Sequence, residues 1–213
     1  MASRPVEKLK TNARGLRVLG IDPALAGATG YGIIELFGST PKLIRFGSFK
    51  LPARATLAAR LYEIHSLISG LVAEFAPDAV AVESVFTALN IKTALKLAEV
   101  RGVVLLAAAQ ASIPAHSYSP REVKCSVAGY GAASKQQMQQ MVTSALGLAE
   151  IPEPADAADA LAVALCHAHL TRANERMEVA MSLTPVTVVS SRKIRVAQIR
   201  PRNQARTAHV FHP

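Results

Sequence analysis

The chain has 213 residues, half of them hydrophobic, with no Trp and few aromatics, which suits one domain with appendages whose core is filled by Ala, Val, Leu and Ile. No apolar stretch reaches the ~18 residues of a membrane span, the start "MASRPVEKLKTNARG" lacks a signal-peptide core and points to a cytoplasmic protein, and the isolated Cys125 and Cys166 read as free thiols. The net charge of +9 excludes a uniformly basic fold, because residues 17–170 hold twelve charges of each sign, while residues 1–16 carry +3 and residues 171–213 carry +6.

In chain order, residues 17–22 read as a buried strand ending at Asp22. "TGYGIIEL" and "KLIRFGSF" follow as two more strands, separated by the turn-like "FGSTPK". Over 56–75 the spacing of Leu57, Leu61, Ile64, Ile68, Leu71 and Phe75 predicts a helix closed by Pro77. "DAVAVES" is a fourth strand, ending at Glu83. Residues 90–111 form an Ala-rich helix with Asn90 as N-cap, and "IPAHSYS" is the fifth strand. Pro120 opens a short helix, Ser134 caps "KQQMQQMVTSAL", and a last helix covers 156–170. Beyond about 172 the pattern fades into a basic tail. Such a tail adds salt-sensitive affinity for a polyanion or is a solvated appendage; charge alone leaves both open. Three strands, a helix, then strand–helix–strand predicts a mixed α/β sheet whose later strands run parallel. The organisation expected is a basic extension over 1–16, a folded domain over 17–171 and a disordered tail over 172–213.

Four acids stand out by position. Asp22 and Glu83 each end an apolar strand, and "DAADA" places Asp156 and Asp159 on roughly one face at the head of a helix. A carboxylate in apolar company is costly unless paired or bound to a cation, and no cluster of Lys or Arg lies near in sequence. Each acid has a plainer reading: an Asx turn for Asp22, solvent at the sheet edge for Glu83, helix capping for Asp156. Together they favour a divalent metal. Oxygen ligands without His or Cys suit Mg²⁺ or Mn²⁺ rather than zinc, and two such ions can support phosphodiester cleavage. His167 and His169, two apart, cannot share a helix face.

The stretches "LGIDPALAGATGYGII", "AVESVFTALNIKTALKLAEVRGVVLLAA", "YSPREVKCSVAGYGAASKQQMQQMV" and "ADAADALAVALCHAH" resemble the RuvC family of Holliday junction resolvases over about residues 17–170. The resemblance implies a ribonuclease H-like fold with strand order 3-2-1-4-5, and a homodimer with one active site per subunit. The implied substrate is four-way junction DNA, resolved by paired nicks that leave 5′-phosphate ends. It assigns Asp22, Glu83, Asp156 and Asp159 to catalysis and to metal, with two ions per site. Lys124, Lys135 and the aromatic Phe86 are assigned to DNA, and the RuvA–RuvB branch-migration complex is the implied partner. The family pattern "GIDPGLxxTGYG" is broken here, because Ala24 follows the proline and the loop is one residue longer. That leaves Gly27 to supply the lost freedom. Two other readings remain. One is a different ribonuclease H-superfamily nuclease acting on hybrid or branched nucleic acid; the other is a junction-binding protein that does not cleave. "ESVF" with the two lysines favours the resolvase.

Overall fold

In a computed structural model of the chain, residues 14–24, 27–51, 54–84 and 91–183 are described. Strands β1 (Leu16–Asp22), β2 (Ala28–Phe37) and β3 (Thr40–Lys50) follow one another as an antiparallel meander. Gly38 turns the second hairpin with a φ of 56°, a left-handed backbone that glycine adopts without cost. Helix α1 (Leu57–Phe75) leads to β4 (Ala79–Glu83), and α2 (Ile91–Gln110) leads to β5 (Ala115–Tyr118). β4 pairs in parallel with β1 and β5 with β4, which requires crossover connections. The sheet order is therefore β3-β2-β1-β4-β5, as expected from the sequence. Helices α3 (Pro120–Ala128), α4 (Lys135–Ala145) and α5 (Ala155–Leu183) complete the chain.

Local chemistry sets the helix ends. Thr56 caps α1 by accepting a hydrogen bond from the Ala59 amide, and Ala76 stops it in the left-handed region just before Pro77. Ser119 with Glu122, and Ser134 with Gln137, form reciprocal capping boxes at α3 and α4. Asn90, the expected cap of α2, lies outside the described residues.

Alternation along the strands builds two cores. On one face Leu19, Ile21, Ile33, Val80 and Val82 meet Ile64, Ile68, Val100 and Val104 of α1 and α2. On the other, Val18, Ile34 and Ala81 meet Leu161 and Leu165 of α5, with Val123 and Val142 closing the layer. The last helix, expected over 156–170, runs on to Leu183. The segment "TRANERMEVAMSL" is made of helix formers with no Gly or Pro. Its apolar periodicity fades because residues 173–182 are exposed all round, so no face has to be apolar.

Helix α5 lies close against the backbones of β1 and β2. A Cβ at Gly30 would fall on the carbonyl oxygen of Asp156, and one at Gly20 on that of Ala160. The helix lies where side chains would otherwise stand. Gly20→Ala and Gly30→Ala should each destabilise the fold by about 1–3 kcal/mol, as overpacking does. By contrast, a Cβ added at Gly70 on α1 meets nothing within 4 Å, so Gly70→Ala should be neutral or gain about 0.5–1 kcal/mol. Thermal unfolding of the three variants checks this, and equal shifts for all three would contradict the close approach.

Candidate active site

Strand parity aims the first two acids. On β1, Val18 and Gly20 face α5 while Leu19 and Ile21 face the opposite core, so Asp22 faces α5. On β4, Ala81 faces α5 and Val80 and Val82 face away, so Glu83 shares the side of Asp22. Ile21 lies opposite Val82 in the parallel register, and the next step along both strands sets Asp22 beside Glu83. Their carboxyls hydrogen-bond to each other.

The other two acids arrive through the glycine contact. Gly30 is the cross-strand partner of Asp22 on β2, and it is the residue on which the first turn of α5 rests. Asp156 sits in that turn, with Asp159 three residues on, and both contribute to the field at Asp22. Burial, followed by the charges of Glu83 and Asp159, pushes the Asp22 carboxyl up to about 8. Glu83 is also raised, again chiefly by burial, while its hydrogen bond with Asp22 and the nearby Lys124 work against the rise.

The two lysines stand at the rim. Lys135 Nζ is 3.0 Å from Asp159 Oδ2, and that hydrogen bond raises its own pKa. Lys124 and Lys135 share a cavity of about 240 Å³ with Val123, Met138, Asp159 and Ala162. Thus Asp22, Glu83, Asp156, Asp159, Lys124 and Lys135 come together, whereas Phe86 lies outside the described residues.

The loop after Asp22 is held differently from expectation. Gly27 does not adopt a left-handed backbone, and a Cβ there would meet only Ala24 Cβ at 3.8 Å. Glycine is therefore not required at that position. Thr29 holds the loop instead: its fully buried side chain donates to the Ala24 carbonyl at 2.7 Å and accepts from the Ala24 amide at 3.1 Å. A hydroxyl near the start of a largely apolar strand, seven residues past Asp22, was the signal available in the sequence. A second missed group lies behind Glu83. Its cross-strand partner on β5 is Tyr118, whose hydroxyl is 2.7 Å from Nδ1 of the buried His167. Burial, then the neighbouring His116, pushes His167 down to about 4 and keeps it neutral.

The family model for the crossover junction endodeoxyribonuclease RuvC matches residues 18–167. The chain belongs to the RuvC family. A RuvC of Syntrophomonas wolfei is 48% identical over 163 residues, covering 76% of this chain and 94% of the relative. The solved structure of Thermus thermophilus RuvC shares 35% identity at a TM-score of 0.69, covering 74% of this chain and 96% of that one. T. thermophilus RuvC in complex with Holliday junction substrate gives 33% identity, a TM-score of 0.67 and the same coverage. The fold is thus the ribonuclease H-like one expected, and the chain is a crossover junction endodeoxyribonuclease.

RuvC nucleases depend on a divalent metal, and the donor set here fits one. All four acids offer hard oxygens, and the raised carboxyls of Asp22 and Glu83 mark negative charge that the protein leaves poorly compensated. As they stand, no three His, Cys, Asp or Glu side chains among the described residues are grouped to hold an ion. Asp22 and Glu83 are engaged with each other, and Asp159 with Lys135.

A carboxyl raised in the folded state keeps a proton that the unfolded chain has released. The cost is absent below pH ~4 and complete above the folded value of about 8. In chelator, the melting temperature should therefore fall as pH rises through that window, and Asp22→Asn should flatten the fall. Unfolding scans from pH 5 to pH 9 measure it; a wild-type protein that gains stability over the same range would contradict the assignment.

Proposed function

We propose that Asp22, Glu83, Asp156 and Asp159 form the nuclease centre of a Holliday junction resolvase. The observation that carries the proposal is the meeting of these carboxylates from β1, β4 and α5 in one half-buried cluster. Membership of the RuvC family makes the activity endonucleolytic cleavage of crossover junctions. The four acids would hold Mg²⁺ or Mn²⁺, with enough oxygens for two ions. When bound, such ions supply an activated water and stabilise the leaving oxygen of a phosphodiester, giving 5′-phosphate ends.

The protein's own groups do the positioning. Asp22 and Glu83 present oxygens from adjacent rigid strands, while Thr29 fixes the backbone that follows Asp22. Asp159 must leave Lys135 to join them, which frees the ammonium for a DNA phosphate. Lys124, which lines the same cavity, is proposed to meet a second phosphate. Phe86, three residues past Glu83, is proposed to lie against bases at the crossover. The RuvA–RuvB branch-migration complex is the proposed partner.

A four-way junction has two equivalent strands to cut, which suits a two-fold dimer. Helix α2 buries Val100, Val104, Ala107 and Ala108 and leaves Ile91, Leu95 and Leu106 on its outer side, exposed by 76%, 61% and 52%. These three, with Ala98 and Gly102 between them, form a second apolar stripe at helical spacing. We propose it as the dimer interface. Leu95→Glu with Leu106→Glu should give a monomer by light scattering while the fold stays intact; an unchanged dimer mass would move the interface elsewhere.

Asp22→Asn, Glu83→Gln and Asp156→Asn should each lower junction cleavage by orders of magnitude, because each removes a ligand from a metal-activated centre. Junction binding should persist or tighten, since negative charge facing phosphate is lost. Single-turnover nicking of a synthetic junction in Mg²⁺, beside binding in chelator, provides the readout. Near wild-type cleavage by any variant would remove that residue from the centre. A substrate panel including RNA–DNA hybrid separates the resolvase from another ribonuclease H-type nuclease, and junction binding without any cleavage would mean a non-cleaving binder.

A further inference from the structure

Among the described residues, the buried polar side chains are Thr29, Glu35 and His167. Thr29 holds the loop after Asp22, and Glu35 pairs with Arg17. His167 lies on α5 between the buried Cys166 and Ala168, and its ring is held by three neighbours. Nδ1 is 2.7 Å from the Tyr118 hydroxyl, and Nε2 is 3.4 Å from Thr171 Oγ1. The ring of His116 lies against it with centroids 4.6 Å apart. Burial keeps the imidazole neutral and pushes the Tyr118 hydroxyl up to about 12, so both stay uncharged. A neutral imidazole offers one acceptor and one donor. The arrangement fits a Tyr118 O–H donating to Nδ1, with Nε2–H directed at Thr171.

Tyr118 is where three parts of the site are joined. It is the last residue of β5 and the register partner of Glu83. Its carbonyl accepts a hydrogen bond at 2.8 Å from the amide of Ser84, the residue after Glu83. Ser119, the residue after Tyr118, caps α3, which carries Lys124. The charge of Lys124 acts on Glu83, and Lys124 lines one cavity with Asp159. Through His167 the same tyrosine is tied to α5, the helix that presents Asp156 and Asp159. The bond is not needed to attach α3, because Val123 and Val127 already bury that helix in the core beside α5. Apolar burial is non-directional, whereas a hydrogen bond fixes distance and angle. A phenylalanine at 118 would bury the same ring without desolvating a hydroxyl, so what the hydroxyl adds is direction.

We propose that Tyr118 and His167 are positioning residues, whose hydrogen bond fixes the end of β5 against α5 and thereby sets Lys124 relative to Glu83 and Asp159. Neither residue touches the reacting phosphate; both act through the head of α3 and the backbone after Glu83. A small misplacement of a group that orients substrate costs rate more than binding. The geometric part of the inference stands on the contacts alone. Its consequence for cleavage rests on the reading above, that Lys124 meets a DNA phosphate beside the carboxylates.

The test uses the full-length protein and Tyr118→Phe, which removes only the hydroxyl. Amide hydrogen exchange should quicken at Ser84, Glu122 and Val123, whose amides are bonded to Tyr118 and Ser119, and stay as in wild type along β1 and β2. Unchanged exchange at those three amides, or an equal rise across the whole fold, overturns the proposal, since a bond that only stabilises would loosen everything alike. In Mg²⁺, single-turnover cleavage of a synthetic junction should fall about 10- to 100-fold, while junction affinity in chelator changes little. In a Lys124→Ala background the same substitution should cost little more, because both act on one contact. Losses that multiply independently overturn the proposal. Lys124→Ala that cleaves as wild type, beside the local change in exchange, would instead count against the reading of Lys124. Should the nitrogen left unmatched on His167 prevent folding of Tyr118→Phe, Tyr118→Phe with His167→Leu decides, because it leaves no buried polar group there. That variant should show the same local exchange and slowed cleavage, and wild-type behaviour in both overturns the proposal.

Discussion

The architecture depends on the close approach of α5 to the backbones of β1 and β2. Gly20 and Gly30 leave no side chain between helix and sheet, and the Asp156 and Ala160 carbonyls occupy the space. Since Gly30 is the partner of Asp22, the contact that seats the helix is also the contact that carries Asp156 and Asp159 to the strand acids. Packing and chemistry are one constraint here. An added methyl at Gly30 would lift the helix from the sheet and the two acids from the site.

What that approach assembles is electrostatically unfavourable without a cation. Asp22 is desolvated and lies near three other carboxylates, and burial with their charges raises its carboxyl, as burial raises that of Glu83. Lys135 offsets Asp159 from the rim. Such frustration in an otherwise well-packed core is the pattern expected where function overrides stability. The apolar layers on both faces of the sheet, from Ile64 to Leu165, hold the strand ends in place against it.

Much of this was legible in the sequence because it rests on short-range rules. A strand that stops at an acid, a helix that opens on "DAADA" and serine caps three residues ahead of Glu122 and Gln137 are all local signals, and each element formed where they pointed. The meeting of Asp22 with Glu83 required only strand parity and a parallel pair. Other features were hidden by their dependence on tertiary contact. The loop past Asp22 is held by Thr29 rather than by freedom at Gly27, which spacing alone does not reveal. The extension of α5 to Leu183 escaped because an exposed helix needs no apolar stripe. The pairing of Tyr118 with His167 joins residues 49 positions apart, beyond any local pattern.

The fold thus has two unlike ends: a carboxylate cluster at the carboxyl ends of β1 and β4, and the far end where Leu16 meets Arg172 and Arg176 of α5. The central claim is that the first of these is a divalent-cation site built by the glycine contact. Titrating ¹⁵N-labelled protein with sub-stoichiometric Mn²⁺ tests it without relying on activity, because paramagnetic broadening falls steeply with distance from the ion. The account expects amide signals of Asp22, Gly30, Glu83 and residues 156–159 to vanish first, with Leu16 and Arg172 to Arg176 unaffected. Broadening centred at that far end, or spread evenly over the sheet, would contradict it.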